Sequence, residues 1–517
     1  MSAAPVVATT AGAVEGFDDD GVLAFLGVPY AAPITPERRF LAPQLVEPWA
    51  GVRAAVELSG VCPQIATYGP VGTGATSALS ASTDFMTVNV RTNSLQASAP
   101  VLVWIHGGGY ALGSANEPVL QTGAFARSGV VEVTVNYRLG ALGFLHLGDG
   151  RPTNRGLLDQ IAALRWVRDN IAAFGGDPAR VTLAGRSAGG FSVATLMAMP
   201  EAHGLFSRAL VQSGASPAVL DPATATAVTD RFCAAAGLTR EELDDAPIEV
   251  LLRAQGAVCD ESYSSHDHAR DGSVTMLGVP FQPVVDGASL PLHPEEAARR
   301  GGTAPVPMVI GCTTAEYLTH STVHPEIDHA RAAELLDPRV APVGLSGAEI
   351  VSRYRSALPV HSGLGIWRAV GGDLVFQASS TRFAELHARH HAVFKYLYGP
   401  LEADELGAAH GAEVGSVWRR PDGAATGLPA RHVPADAQFA ALVHRAWVSF
   451  VVDETPAVDG VAHWPRYTAD DRRLVWLADG AAAVAEDPFA DRPALWEPEY
   501  SASGLAGRWA TEASPVD

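Results

Sequence analysis

The chain has 517 residues, with 36 Lys and Arg against 56 Asp and Glu, and a formal net charge of −20. That balance argues against a nucleic-acid surface and for solubility. Its 47% hydrophobic and 18% charged content excludes a disordered or fibrous chain and fits a globular protein with a large core. No apolar run is long enough to span a bilayer, and the N-terminus lacks the charged and apolar regions of a secretory signal. The four cysteines, Cys62, Cys233, Cys259 and Cys312, form no C-x-x-C pair and no cluster with histidines at metal-ligand spacing. They read as buried thiols in a reducing compartment, with nothing that calls for a disulfide, hence a cytoplasmic protein; nothing in the residues calls for a metal or a cofactor. Nothing in the residues fixes an oligomeric state.

Residues 6–58 hold short strand-like runs broken by glycine and proline, such as Leu23-Ala-Phe-Leu-Gly-Val-Pro-Tyr30. Residues 70–82 are rich in Gly, Ser and Thr and read as a surface loop. The run Pro100-Val-Leu-Val-Trp-Ile-His106 is apolar throughout and precedes three glycines, the pattern of a strand buried on both faces. Residues 130–137 form a second such strand. Residues 157–174 carry Leu157, Ile161, Leu164, Val167 and Ile171 at helical spacing, with a stop at Gly175, Gly176 and Pro178. Residues 181–184 are again strand-like. From Ala188 the apolar residues Phe191, Val193, Leu196 and Met197 return to helical spacing. Later strands fall at 306–311 and 391–398. Alanine-rich helical segments fall near 222–254 and 330–386, and the tail after Tyr500 is rich in Ser, Ala and Gly. This alternation predicts an α/β fold, a mostly parallel sheet flanked by helices.

Gly185-Arg-Ser-Ala-Gly189 is a G-x-S-x-G sequence between a strand and a helix, the setting of a nucleophile elbow. A serine hydroxyl attacks only with a base in hydrogen-bond reach and an acid holding that base. It also needs donors for the oxyanion. His106-Gly-Gly-Gly109, at the end of a core strand, supplies a run of backbone N–H groups suited to that task. Of the seventeen histidines, the pairs His266, His268 and His390, His391 lack matching carboxylates or cysteines and read as surface or structural.

These and further stretches together resemble the type-B carboxylesterases, the cholinesterase-like branch of the α/β-hydrolases. The resemblance is carried by Phe25-Leu-Gly-Val-Pro-Tyr-Ala31, Trp104-Ile-His-Gly-Gly-Gly-Tyr110, Asn136-Tyr-Arg-Leu-Gly-Ala-Leu-Gly-Phe144, Phe174-Gly-Gly-Asp-Pro178, the elbow and Gln212-Ser-Gly214. It implies a single α/β-hydrolase domain over 1–517; the alanine-rich helical regions read as cap insertions at 222–300 and 325–386, and the composition of 501–517 as that of a loosely ordered tail. It implies Ser187 as nucleophile, Glu316 in Val309-Ile-Gly-Cys-Thr-Thr-Ala-Glu316 as acid, and His410 in Gly407-Ala-Ala-His-Gly-Ala-Glu413 as base. The implied oxyanion donors are the N–H groups of Gly108, Gly109 and Ala188, and the implied pocket wall is Tyr110. The implied partner is a small-molecule ester, with no nucleic acid and no membrane span.

Three departures stand out. Phe85 and Leu251 occupy positions where extracellular relatives carry disulfide cysteines. Arg186 stands where the family usually has a glutamate, in a buried polar cluster with the counterparts of Glu413 and Ser213. An unpaired buried guanidinium is costly, so the expectation is an Arg186–Glu413 ion pair behind Ser187. The leading functional reading is a serine carboxylesterase working through an acyl-enzyme on a small carboxylic ester. Two others stand beside it: lyase, cyclisation or acyl-transfer chemistry on the same fold, favoured by Arg186 alone, and a catalytically inactive binding protein.

Overall fold

The computed structural model describes residues 4–496, apart from 66, 69–70, 73–79, 216–217, 265–266, 318–326, 359–361, 402–406 and 421–435. Most of the expected loop at 70–82, His266 and the tail at 501–517 lie outside the described residues. The framework is an eleven-stranded sheet. In chain order its strands are β1 (Phe17–Asp19), β2 (Val22–Pro29), β3 (Thr87–Thr92), β4 (Ala99–Ile105), β5 (Val131–Val135), β6 (Gly176–Arg186), β7 (Arg208–Gln212), β8 (Met308–Thr313), β9 (Val393–Tyr398), β10 (Arg473–Ala478) and β11 (Ala481–Glu486). Their spatial order is β11-β10-β9-β8-β7-β6-β4-β5-β3-β2-β1. Every pairing from β5 across to β10 is parallel; the pairings at both ends are antiparallel.

The central strands are buried along their whole length, as continuous apolar runs require when helices cover both faces of a parallel sheet. Alternate side chains divide between two cores. Val101, Val103 and Ile105 of β4 join the larger core, while Leu102 and Trp104 join the other. The helix Arg155–Asn170 packs Leu157, Ile161 and Leu164 into the first core. The helix Ala437–Asp453 packs Phe439, Val443, Trp447 and Phe450 into the second. The expected helix at 157–174 thus ends earlier, passing through a 3-10 turn at Ile171–Phe174 to Gly175 at φ 80°.

The two long helical segments prove to be broken. Residues 222–254 hold Pro222–Ala236, ended by Gly237 at φ 69°, and the start of Ile248–Ser264. Residues 330–386 are covered by His329–Val340, Gly347–Ala357, Gly363–Val375 and Gln377–Ala388. Ser346 closes a capping box with Glu349, and Ser362 caps the next helix by accepting from Gly365 N; both serines set helix starts that apolar spacing alone does not mark.

All four cysteines are free thiols, with Cys62, Cys259 and Cys312 buried. Phe85 and Leu251 are core residues. Burial pushes the Cys62 thiol up to about 12, and a protonated, inaccessible thiol is a poor nucleophile. Thiol titration of the native protein is therefore expected to reach Cys233 alone, and titration of the denatured, unreduced protein to reach four. A denatured titre of two would show a disulfide.

Glu132 lies on β5 opposite Arg91 of β3. It is 1% exposed, and neither carboxylate oxygen has a hydrogen-bond partner among the described residues. Desolvation pushes its carboxyl up to about 7, against the smaller opposing pull of Arg91. An acid whose pKa is raised on folding favours the native state fully below the ordinary carboxylate range. That contribution is lost as pH rises through about 7. Glu132→Gln removes the titration, so its melting temperature relative to wild type should be more favourable at pH 8 than at pH 5. An equal difference at both pH values would contradict the buried, unsatisfied carboxylate.

Candidate active site

Ser187 sits between β6 and the helix Ala188–Met197 at φ 59°, ψ −125°. This left-handed backbone is strained for any residue with a Cβ. The surroundings hold it there. Ser187 N donates to Gln212 O at 2.9 Å on the neighbouring strand, and Phe191 N donates back to Ser187 O at 2.8 Å. A Cβ at Gly185 would lie 2.4 Å from Gly189 O, and one at Gly189 would lie 2.0 Å from Ile105 O. Neither position has room for a side chain, which is why the turn reads G-x-S-x-G.

Glu316 follows β8, on a loop joined at backbone level to the segment carrying His410. Ala315 N donates to Ala408 O at 2.9 Å, and Ala315 bridges Ala409. The two oxygens of Glu316 have separate partners. Oε1 accepts Ser213 Oγ–H and Thr313 N–H, each at 2.7 Å. Oε2 accepts from His410 Nδ1 at 2.5 Å. The Phe376 ring packs on the imidazole at 4.5 Å and in turn stacks on Phe191 at 5.9 Å. Ser187 and His410 are each 9% exposed. The Ser187 hydroxyl makes no hydrogen bond to the ring in this structure; in unliganded hydrolases such bonds are often long and tighten with substrate.

His106 to Gly109 turn at the end of β4. A Cβ at Gly107 would lie 2.6 Å from Arg186 O and 3.0 Å from Ser187 Cβ, so this loop lies directly against the elbow. Gly108 and Gly109 take φ 119° and 61°. The N–H groups of Gly108, Gly109 and Ala188 donate to no described residue. Three free donors beside a serine, one of them at a helix N-terminus, suit developing negative charge.

The neighbourhood of Arg186 differs from expectation. No Arg186–Glu413 ion pair forms. Glu413 is fully buried and turned the other way: its Oε1 accepts from Gln212 Nε2 at 3.1 Å, and Gln212 Oε1 accepts from Trp447 Nε1 at 2.8 Å. Its Oε2 has no partner among the described residues. Burial, and next the charge of Glu316, hold its carboxyl above the usual range. Ser213 serves Glu316 rather than a cluster with Arg186. The Arg186 guanidinium instead covers Gly411: a Cβ there would lie 3.3 Å from Nη1 and 3.4 Å from Cζ. Tyr110 also departs from its expected place. It is 1% exposed and packs on Phe144 at 4.7 Å, so it does not wall an open pocket.

The parts played by Gln212, Trp447 and Phe376 are not foreseen from the sequence. Gln212 opens the Gln-Ser-Gly stretch, the only local signal among them. Among the described residues no group of three or more His, Cys, Asp or Glu side chains could hold a metal ion, and no helix is long and apolar enough to cross a membrane.

A mostly parallel sheet, with a strained serine at the strand-to-helix turn and a carboxylate–imidazole pair beyond later strands, defines an α/β-hydrolase. The chain belongs to the carboxylesterase family, whose sequence model matches residues 3–340. It is 32% identical to the para-nitrobenzyl esterase of Bacillus subtilis (strain 168), over 94% of this chain and 97% of that protein. It is 34% identical to the phenmedipham hydrolase of Pseudarthrobacter oxydans, over 94% and 98%. Among solved structures, the carboxylesterase EST55 of Geobacillus stearothermophilus matches with a TM-score of 0.81 at 34% identity, covering 95% of this chain and 100% of that one. The chain is a serine carboxylesterase, a carboxylic ester hydrolase.

Proposed function

We propose that Ser187, His410 and Glu316 are the nucleophile, base and acid of this esterase, and that its substrate is a small carboxylic ester. The 2.5 Å contact between His410 Nδ1 and Glu316 Oε2 carries the assignment, because it fixes the tautomer that leaves Nε2 free to accept a proton. His410 takes the Ser187 proton as the hydroxyl attacks the ester carbonyl. Glu316 stabilises the imidazolium. The oxyanion rests on the N–H groups of Gly108, Gly109 and Ala188. His410 then gives its proton to the departing alcohol, and water, activated by the same imidazole, hydrolyses the acyl-enzyme. The insertions at 222–300 and 325–386 form the cap in this reading. Phe376, from the second of them, packs on His410. The free cysteines support a cytoplasmic location.

The test is hydrolysis of p-nitrophenyl acetate together with labelling by a fluorophosphonate and peptide mapping. The label is expected on Ser187, with hydrolysis lost in proportion. A label on another serine, with hydrolysis intact, would overturn the assignment. Lyase or acyl-transfer chemistry, the second reading, keeps support from the unpaired Arg186. It predicts labelling of Ser187 with no free acid released from the natural substrate.

A further inference from the structure

We infer that Arg186 is a specificity-determining residue that binds a carboxylate on the alcohol portion of the ester. The inference rests on the esterase reading above. A guanidinium offers five N–H donors in a planar fork. The Arg186 side chain is partly exposed, yet it makes no hydrogen bond or ion pair with any described residue. Two carboxylates that sense the Arg186 charge, Glu413 and Glu117, are elsewhere engaged. Glu413 accepts from Gln212. Glu117 accepts from Ser114 N at 3.4 Å. Neither comes within the 4.0 Å of an ion pair. They do not fill its donors.

The place of the guanidinium says what could fill them. A Cβ at Gly107 would lie 3.4 Å from its Cζ, and a Cβ at Gly411 equally close. The side chain therefore spans the gap between the glycine loop and the His410 loop, one residue from Gly108 on one side and one residue from His410 on the other. An ester with its carbonyl oxygen on the N–H groups of the glycine loop and its alcohol oxygen at His410 would lie across this gap. His410 must protonate the departing alkoxide, so the alcohol portion is the part on the His410 side, where the guanidinium covers Gly411. An anion there meets an unfilled planar fork, and a carboxylate matches that fork with two parallel hydrogen bonds. A neutral alcohol portion leaves the donors unpaired in a partly desolvated site, which is the stronger source of discrimination.

The experiment compares the 2-, 3- and 4-acetoxybenzoates with the matching acetoxybenzamides. Each pair shares the acyl group and nearly the same shape, and the three isomers vary the reach of the charge. In wild type, kcat/KM for at least one acetoxybenzoate is expected to exceed that of its amide about tenfold or more. Arg186→Gln should bring that ratio near one, Arg186→Glu should invert it, and Arg186→Lys should keep part of it. Ratios within one variant cancel any general loss of activity. Competitive inhibition of wild type by hydroxybenzoate against hydroxybenzamide gives the same comparison without a variant. Preference for the amide in all three pairs, or a ratio unchanged in Arg186→Gln, overturns the inference while leaving the esterase reading intact. Failure of every ester to turn over, with Ser187 unlabelled, overturns that reading and the inference with it.

Discussion

Ser187→Ala is expected to lower kcat by a factor on the order of 10⁴ to 10⁶ and to abolish fluorophosphonate labelling. The residual rate would come from the three free N–H donors and substrate positioning. The fold should survive. Ser187 is held by backbone bonds to Gln212 and Phe191, and alanine keeps both. The backbone strain survives too, since φ 59° with ψ −125° is unfavourable for alanine as for serine. Ser187→Gly separates the two effects. Relief of strain of about 1–3 kcal/mol opposes a glycine entropy cost of about 0.5–1 kcal/mol. The glycine variant should therefore be as inactive as the alanine variant and melt above it. If the alanine variant kept wild-type kcat, or if glycine melted well below alanine, the elbow would be neither the reactive centre nor a strained one.

Those two glycines and that strain were legible in the sequence because the elbow is local. Gly185 and Gly189 are dictated by atoms a few residues away or on the adjacent strand. The central strands were legible for a similar reason, since burial on both faces leaves an unbroken apolar run. The hairpin of β10 and β11 was missed although Asp479 and Gly480, both at positive φ, form the Asp-Gly turn typical of tight hairpins. Four of the six residues of its second strand are alanine, which carries no strand signal. The helix breaks at Gly237, Ser346 and Ser362 were missed because caps, not apolar spacing, set them. The least legible part was the company of Arg186. The family's polar cluster pointed to Glu413, three residues beyond His410. The pairing of Glu413 with Gln212, which is itself held by Trp447, depends on β7 and on a helix more than two hundred residues downstream. No spacing rule reaches that far. Glu316 and His410 came from the family pattern alone; the loop bridge at Ala315 and Ala409 that brings them together leaves no periodic trace.

Glu316→Gln should cost nearly as much as losing the serine, for a reason visible in how the two carboxylate oxygens are used. Glutamine keeps one oxygen, and the fixed donors Ser213 Oγ–H and Thr313 N–H, both now on Oε1 at 2.7 Å, will hold that oxygen on their side. The amide NH₂ is then left facing His410 Nδ1. A donor there forces Nδ1 to accept, which moves the ring proton to Nε2. An Nε2–H cannot take the Ser187 proton. The imidazolium also loses the negative charge beside it. Together these should lower kcat by about 10⁴, the size expected when an acid–histidine pair is set in the wrong tautomer. The variant should melt close to wild type, because both buried donors keep an acceptor and one buried charge is removed. Fluorophosphonate labelling of Ser187 should slow by a similar factor, since it needs the same proton removed. A labelling rate within about tenfold of wild type, in a variant shown to be folded, would mean that the Glu316–His410 contact does not set the proton on the ring. Glu316→Asp supplies the contrast: it keeps the charge and the acceptor but shortens the reach, so it should lose less than the glutamine variant.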